Sequence, residues 1–227
     1  MATHETRYNL VASAAAATRN ATPIAETFAA IIARHPRPRL RVLELACGDG
    51  VHASVICALC RGRIDSYAPT DLTDARFDRV RANAVCLDAD AGAVALEPRI
   101  QDAVTFGEDA ARGTLDACVA VNMCHVSSRD AVRGMFRGAA RGLDEDGILF
   151  VYGPFTRFGG RFSGPGDEAF DASLRARDAE NFGLVDVEEF MDVEAASVGL
   201  VPDETHPVAM PANNLVLVYR KRGGAKE

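Results

Sequence analysis

The sequence predicts an α/β fold with a mostly parallel β-sheet, and three observations support this prediction. Continuous apolar runs such as residues 41–47 are typical of strands that are buried on both faces, as in parallel sheets. These runs alternate along the chain with segments of helical periodicity, which is the pattern of strand–helix–strand units. The chain closes with two β-like runs within residues 203–221, which we interpret as a hairpin that adds an antiparallel strand to the sheet.

The first expected element is a helix over residues 23–34, because Pro23 suits a first helical turn and Thr22 can cap it. The apolar run at 41–47 follows as the first strand, and a glycine-containing turn leads from it into a second helix. Further helices are expected over residues 72–84, 128–143, 167–178 and 186–198. Further strands are expected over residues 63–69, 99–106, 114–123 and 147–155, and together with the hairpin they make a seven-stranded sheet.

The length of 227 residues suits one domain, which we place at residues 1–222. Within this domain we expect residues 1–36 to form an N-terminal helical lid, and we expect residues 223–227 to be a flexible tail. The sequence contains no apolar run of about 18 residues, so we predict no membrane span.

The charge and the cysteines exclude some classes of function. A net charge of −7 argues against a nucleic-acid partner, because binding to phosphates needs a basic stripe. The six cysteines are scattered among apolar neighbours, which favours a reducing, cytoplasmic location over a disulfide framework. Cys57 and Cys60 have a metal-like spacing without a second pair, so we interpret them as buried residues and predict no metal site.

Residues 44–50, Glu-Leu-Ala-Cys-Gly-Asp-Gly, lie where the first strand meets a helix. The carboxyl edge of a parallel sheet offers a ligand crevice there, and Gly48 and Gly50 let the backbone approach a ligand without a Cβ in the way. An acidic residue near this turn can bind the ammonium group or the ribose of S-adenosylmethionine (SAM). The same letters also fit the dinucleotide pattern of NAD-binding folds, with Asp71 about 20 residues later, so the glycines alone leave both cofactors open.

Three features favour SAM over NAD. Glu44 lies within the strand, where dinucleotide folds usually carry an apolar residue. Asp102 follows the third strand, at a position that often binds adenine in methyltransferases. The closing hairpin supplies the additional antiparallel strand of the class I methyltransferase sheet. We therefore expect SAM to be the cofactor.

The chain also resembles the DUF938 (UPF0585) family of class I SAM-dependent methyltransferase-like proteins over nearly its whole length. The matching blocks are Arg19-Asn20 and residues 42–53, 69–72, 122–127, 149–155, 169–178 and 210–220. The resemblance implies a SAM-binding, Rossmann-like fold of the class I methyltransferase type. It leaves the substrate open.

Three residues at the ends of the fourth and fifth strands are candidates for catalysis. Asn122 could hold an attacking amine or acceptor by a hydrogen bond, although an Asn there can also cap a loop. His125 could act as a general base, or it could be a structural hydrogen-bonding residue. Tyr152 could face the sulfonium through its ring, or it could pack in the core.

The N-terminal segment supplies further candidates. Tyr8 and Arg19 are expected in the lid, where the Arg19 guanidinium would bind the methionine carboxylate of SAM through a bidentate contact. The residues expected to bind the cofactor are Tyr8, Arg19, Asn20, Glu44, Gly48, Gly50, Asp71, Asp102 and Asn122.

These residues leave several functions open. The leading hypothesis is a SAM-dependent methyltransferase that acts on a small molecule, in secondary metabolism. A second is a SAM lyase, in which the amine of SAM attacks its own Cγ to give azetidine-2-carboxylate and methylthioadenosine. A third is a non-catalytic SAM-binding protein, and an NAD oxidoreductase ranks last. The expected partner is thus a small molecule or SAM alone, and the oligomeric state stays open.

Overall fold

The computed structural model describes residues 10–222, with side chains described from Ala17 onward, and it confirms the α/β prediction. The α-helices in this range are α1 (Leu10–Ile32), α2 (Val51–Leu59), α3 (Phe77–Ala82), α4 (Phe106–Asp109), α5 (Arg129–Gly142), α6 (Pro165–Arg177) and α7 (Asp192–Ser197). The strands are β1 (Leu40–Leu45), β2 (Ile64–Asp71), β3 (Ala84–Val85), β4 (Val94–Ala95), β5 (Arg99–Ile100), β6 (Leu115–Val121), β7 (Leu143–Gly153), β8 (Phe155–Thr156), β9 (Val185–Asp186), β10 (Leu200–Pro202), β11 (Val208–Ala209) and β12 (Leu215–Lys221).

The central sheet has the strand order β5–β2–β1–β6–β7–β12–β10, and β11 pairs with β12 at one end. The pairs from β5 to β7 are parallel, whereas β12 is antiparallel to both β7 and β10. The chain leaves β1 towards β2 and later returns to its other side with β6, so the strand order reverses beside β1. In open parallel sheets a ligand crevice forms at such a reversal, outside the carboxyl ends of the strands.

Both faces of the sheet are covered by apolar layers, which explains the continuous apolar runs. On one face Phe28 of α1 packs edge-on against Phe150 of β7, with 5.3 Å between the ring centroids. On the other face Phe136 of α5 packs edge-on against Tyr219 of β12, at 5.4 Å. Because each central strand has a covered layer on both sides, alternate polar residues would be buried without partners.

The predicted start of the first helix at residue 23 is wrong. Helix α1 begins at Leu10 and continues through Pro23. Pro23 has no backbone N–H for the carbonyl of Arg19, and this normally weakens a helix interior. The alanine-rich stretch before it has high helix propensity, and Ile24 and Phe28 after it are fully buried. Packing and propensity together outweigh one missing hydrogen bond.

Other boundaries differ from the prediction at the edge of the sheet. The strand expected over residues 99–106 is confined to β5, and Phe106 instead begins α4 and is buried beneath α5. Gly138 leaves room for the Phe106 ring, since a Cβ there would lie 2.0 Å from Cδ1 of Phe106. The expected helix over 72–84 is shortened to α3, and β10 was not expected. The closing hairpin is confirmed as β11 and β12, joined by the turn at Pro211–Asn213.

Within residues 10–222, no helix has both the length and the apolar character that crossing a membrane requires.

We predict that Gly134→Ala destabilises the fold, because the added Cβ would lie 1.9 Å from the backbone oxygen of Ala103. A backbone atom cannot move aside cheaply, so we expect the free energy of unfolding to fall by about 3 kcal/mol, measured by urea denaturation. Gly166→Ala is the matched control, because Gly166 is also helical and has no atom within 4 Å of its Cβ position. The control should be neutral or stabilising by up to about 1 kcal/mol. Equal stabilities of the two variants would contradict this account of the packing.

Candidate functional site

A crevice of about 210 Å³ lies at the carboxyl ends of β1, β2, β5 and β6, where the strand order reverses. It is lined by the loops that follow these strands, by the first turn of α2 and by α1. The lining residues are 45–49, 51–52, 71–73, 101–103, 121–123 and 126–127, with Ala17, Arg76 and Ala131. This is the position that the sequence predicted for a ligand site.

Hydrogen bonds tie the loop after β1 to the end of β2. The N–H of Cys47 donates to the carbonyl of Thr70 at 2.9 Å, and the N–H of Gly48 donates to Oδ2 of Asp71, also at 2.9 Å. Ala46 and Gly48 have φ angles of 54° and 56°, in the left-handed region that a non-glycine residue rarely adopts. The loop is therefore held in one conformation, and the backbone N–H that a pyrophosphate would need at Gly48 is already bound by a carboxylate.

The charges that line the crevice are mostly negative. Asp49, Asp71 and Asp102 contribute carboxylates, and Arg76 contributes the one guanidinium among the lining residues. Arg76 is itself paired with Asp49, with 3.6 Å between Nη1 and Oδ1. Because the lining residues include three carboxylates and one guanidinium, the crevice favours a cationic ligand over an anionic one.

Glu44 lies outside the crevice lining, inside the layer between the sheet and α1. Its side chain is buried, and Oε2 accepts a hydrogen bond of 3.0 Å from the Tyr67 hydroxyl, while Oε1 is buried without a partner. The pKa of Glu44 is raised to about 8, and burial is the largest cause. The hydrogen bond from Tyr67 opposes this shift, and the negative charge of Asp71 adds to it. At neutral pH this carboxyl is therefore mostly protonated, and it faces the core instead of the ligand space.

Gly50 also lies outside the lining. It precedes the first residue of α2 with a φ of 77°, and a Cβ there would lie 3.2 Å from Cγ1 of Val80. The structure thus explains Gly50 through the close packing of α3 on this turn, whereas Gly48 does line the crevice. Asp71 and Asp102 line it as well, and Oδ1 of Asp102 accepts from the N–H of Val104 at 2.8 Å.

Asn122 lines the crevice at the end of β6. Its φ of 56° is left-handed, a conformation that Asn tolerates better than most residues. Its N–H donates to the carbonyl of Tyr152 at 2.8 Å, which links the ends of β6 and β7. This left-handed position therefore favours Asn or Gly, and Asn122 lines the crevice in this conformation.

Tyr152 and His125 lie outside the lining. Tyr152 is 2% exposed and packs in the layer beneath α1, where burial raises the pKa of its phenol to about 12 and the charge of Arg19 opposes this. His125 is buried with its ring edge-on to Phe170, at 5.6 Å between centroids. Burial, assisted by the charge of Arg177, lowers the pKa of His125 to about 4, so its imidazole is neutral and weakly basic. Neither side chain therefore lines the crevice together with Asn122.

The binding residues predicted in the N-terminal segment are not found among the described residues of the crevice lining. Tyr8 lies outside the described residues. Arg19 is exposed and Asn20 is half-buried, and neither lines the crevice. Ala17, one helical turn before Asn20, does line it. The helix of the expected lid therefore reaches the crevice, although through a different residue.

His52, which the sequence patterns did not single out, is buried and lines the crevice from the first turn of α2. The available signal was its spacing, since it follows Gly50 by two residues at the helix start and lies inside the block 42–53. Across the described part of the chain, no group of three or more His, Cys, Asp or Glu side chains is arranged to hold a metal ion.

Comparisons with known proteins agree with this architecture. A family model described as "Protein of unknown function (DUF938)" matches residues 11–221. Among solved structures, the chain is similar to the YcgJ protein from Bacillus subtilis, with a TM-score of 0.61 and 14% identity over 88% of this chain and 99% of that one. It is also similar to an O-methyltransferase family protein from Burkholderia thailandensis, with a TM-score of 0.62 and 16% identity over 88% and 57% of the two chains. The trans-methyltransferase CalH in complex with SAH gives a TM-score of 0.55 and 18% identity over 81% and 52%. The chain thus spans about half the length of the last two proteins, and the shared feature is the fold.

We predict that Glu44→Gln changes how stability depends on pH. Folded Glu44 keeps its proton up to about pH 8, whereas the unfolded chain releases it from about pH 4.5. Unfolding therefore releases a proton in this window, and wild-type stability falls as pH rises, by up to about 1.4 kcal/mol per pH unit from this group. The variant lacks this loss, so its stability relative to wild type should increase from pH 5 to pH 8.

Urea unfolding at pH 5, 6.5 and 8 measures this difference. Glu145→Gln removes an exposed carboxyl and should run parallel to wild type. If Glu44→Gln also ran parallel to wild type, the buried carboxyl would be ionised in the folded protein.

Proposed function

The chain belongs to the DUF938 family and has the fold of class I methyltransferases, and from this premise we propose that it is a SAM-dependent methyltransferase. In this proposal SAM binds in the crevice at the carboxyl ends of β1, β2, β5 and β6, and the methyl acceptor is a small molecule of secondary metabolism. The observation that carries the proposal is the acidic crevice whose loop N–H is already bound by Asp71.

The residues present fit SAM better than NAD. A dinucleotide places a pyrophosphate on the free N–H groups of this turn, but the N–H of Gly48 donates to a carboxylate that would repel phosphate. SAM carries a positive sulfonium and an ammonium group, and no phosphate. With one carboxylate against these two cationic groups, SAM has a net positive charge that suits the negative field of the crevice.

We assign the two ends of the crevice by their donors and acceptors. Asp71, at the end of β2, would accept hydrogen bonds from the ribose hydroxyls, as carboxylates do for ribose in related folds. Asp102 and Gln101, after β5, would hold the polar edge of adenine. Met123 and Val126, which follow β6, would pack on the apolar faces of the base.

SAM, when bound, supplies a methyl group on a good leaving group, so the chain has to align an acceptor and exclude water. We propose that the Asn122 amide orients the acceptor, because it lines the crevice at the end of a central strand. Tyr152 would act as a positioning residue, since its carbonyl holds the N–H of Asn122. α1 would exclude water on the side where Ala17 lines the crevice.

Product analysis tests this function against its rivals. The purified protein is incubated with SAM, alone and with a fraction of small metabolites. A methyltransferase releases S-adenosylhomocysteine (SAH) only when an acceptor is present. Methylthioadenosine from SAM alone would indicate the lyase, and binding without either product would indicate a non-catalytic SAM-binding protein.

We predict that Gly48→Val abolishes SAM binding, because a branched side chain would enter the ligand space and strain a left-handed position. Isothermal titration calorimetry measures the affinity. Gly62→Val is the matched control, because Gly62 is also left-handed, at a φ of 80°, and lies outside the crevice. Unchanged SAM affinity in Gly48→Val, or tight NAD binding by the wild type, would refute the site.

We also predict that Asn122→Ala and Asn122→Gly both lower kcat by about a hundredfold, since losing the alignment of a reacting group has costs of this order. The glycine variant relieves the left-handed strain, so its melting temperature should stay near wild type and separate turnover from folding. Asn213→Ala controls for strain, because Asn213 is left-handed at 59° and exposed in the β11–β12 turn. Wild-type turnover in Asn122→Gly would move the aligning group elsewhere.

A further inference from the structure

His52 is a buried polar residue of the crevice that the proposed reaction does not use. It is the second residue of α2, it is 7% exposed, and it lines the crevice. Its Nδ1 atom is shielded from solvent and has no hydrogen-bond partner. Because a buried polar atom without a partner lowers stability, most such atoms in native proteins are satisfied by a ligand, water or another residue.

The protonation state of His52 limits what it can bind. Burial lowers the pKa of His52 to about 4, so the imidazole is neutral at physiological pH. A neutral imidazole has one nitrogen that donates and one that accepts. An accepting nitrogen beside an acidic crevice suits a positively charged N–H donor, and hydrogen bonds to charged groups are stronger than neutral ones.

The position of His52 indicates which end of the ligand it meets. Asp71 and Asp102 come from β2 and β5, which lie on one side of β1. His52 stands at the start of α2, which follows β1 and packs against α1, the helix that contributes Ala17. With the adenosine assigned to the two aspartates, His52 is left for the amino-acid end of the ligand.

We propose that Nδ1 of His52 accepts a hydrogen bond from the α-ammonium group of the bound S-adenosyl compound. The ammonium is the one cationic N–H donor at that end, because the sulfonium carries no hydrogen and the carboxylate only accepts. His52 is then a positioning residue that anchors the amino-acid end of the ligand. This inference rests on the proposed binding of SAM.

The test is calorimetry with three probes on the full chain. The probes are SAH, an SAH analogue with hydrogen in place of the amino group, and methylthioadenosine, which lacks the amino-acid end. The variants are His52→Phe, which keeps a ring without nitrogen, and His52→Asn, whose amide oxygen can take the place of Nδ1. Melting temperatures check that both variants fold.

We expect His52→Phe to weaken SAH binding at least about tenfold and to leave the other two probes within about twofold of wild type, because only SAH carries the ammonium. His52→Asn should restore most of the SAH affinity. Unchanged SAH affinity in His52→Phe would overturn the inference, and so would an equal loss for all three probes, which would indicate a structural role. If the wild type bound none of the probes, the proposed function itself would fail.

Discussion

The hydrogen bonds between the loop after β1 and the end of β2 are the interaction on which the candidate site depends. Cys47 donates to Thr70, Gly48 donates to Asp71, and the Thr70 hydroxyl in turn donates to the carbonyl of Glu44. These bonds join two neighbouring parallel strands at their carboxyl ends. They hold the left-handed loop in place, and they set a carboxylate where a phosphate-binding fold would keep its N–H groups free.

Burial determines which groups near the crevice are charged. Glu44 and His52 are both removed from water, and in each the pKa shifts so that the neutral form dominates near pH 7. The field in the crevice therefore comes from its partly exposed aspartates. Backbone strain lies in the same place, since Ala46 and Asn122 are left-handed at the ends of β1 and β6. The packed sheet below holds both conformations, and such strained residues cluster at functional sites.

The sequence predicted the parallel core more accurately than its edges. The ends of β6 and β7 lie within a few residues of the predicted ends. A strand buried on both faces needs an unbroken apolar run, and such a run is visible in the sequence. The prediction of a strand over residues 99–106 was wrong because Phe106 is buried under α5 next to Gly138, and this contact joins distant parts of the chain. The predicted start of α1 was wrong for a similar reason, since the burial of Phe28 outweighs the local effect of Pro23 on the helix.

For the site, the sequence by itself determined which strand ends carry polar residues, and the structure has a crevice at these strand ends with Gly48, Asp71, Asp102 and Asn122 in its lining. A parallel sheet brings these strand ends to one edge whatever the side chains do, so local pattern is sufficient for that conclusion. Only the tertiary structure decided which residues line the crevice. It placed Glu44 in the layer beneath α1 and His52 in the crevice, because the direction of a side chain depends on how helices pack over the sheet, and that packing is set by contacts between residues far apart in sequence.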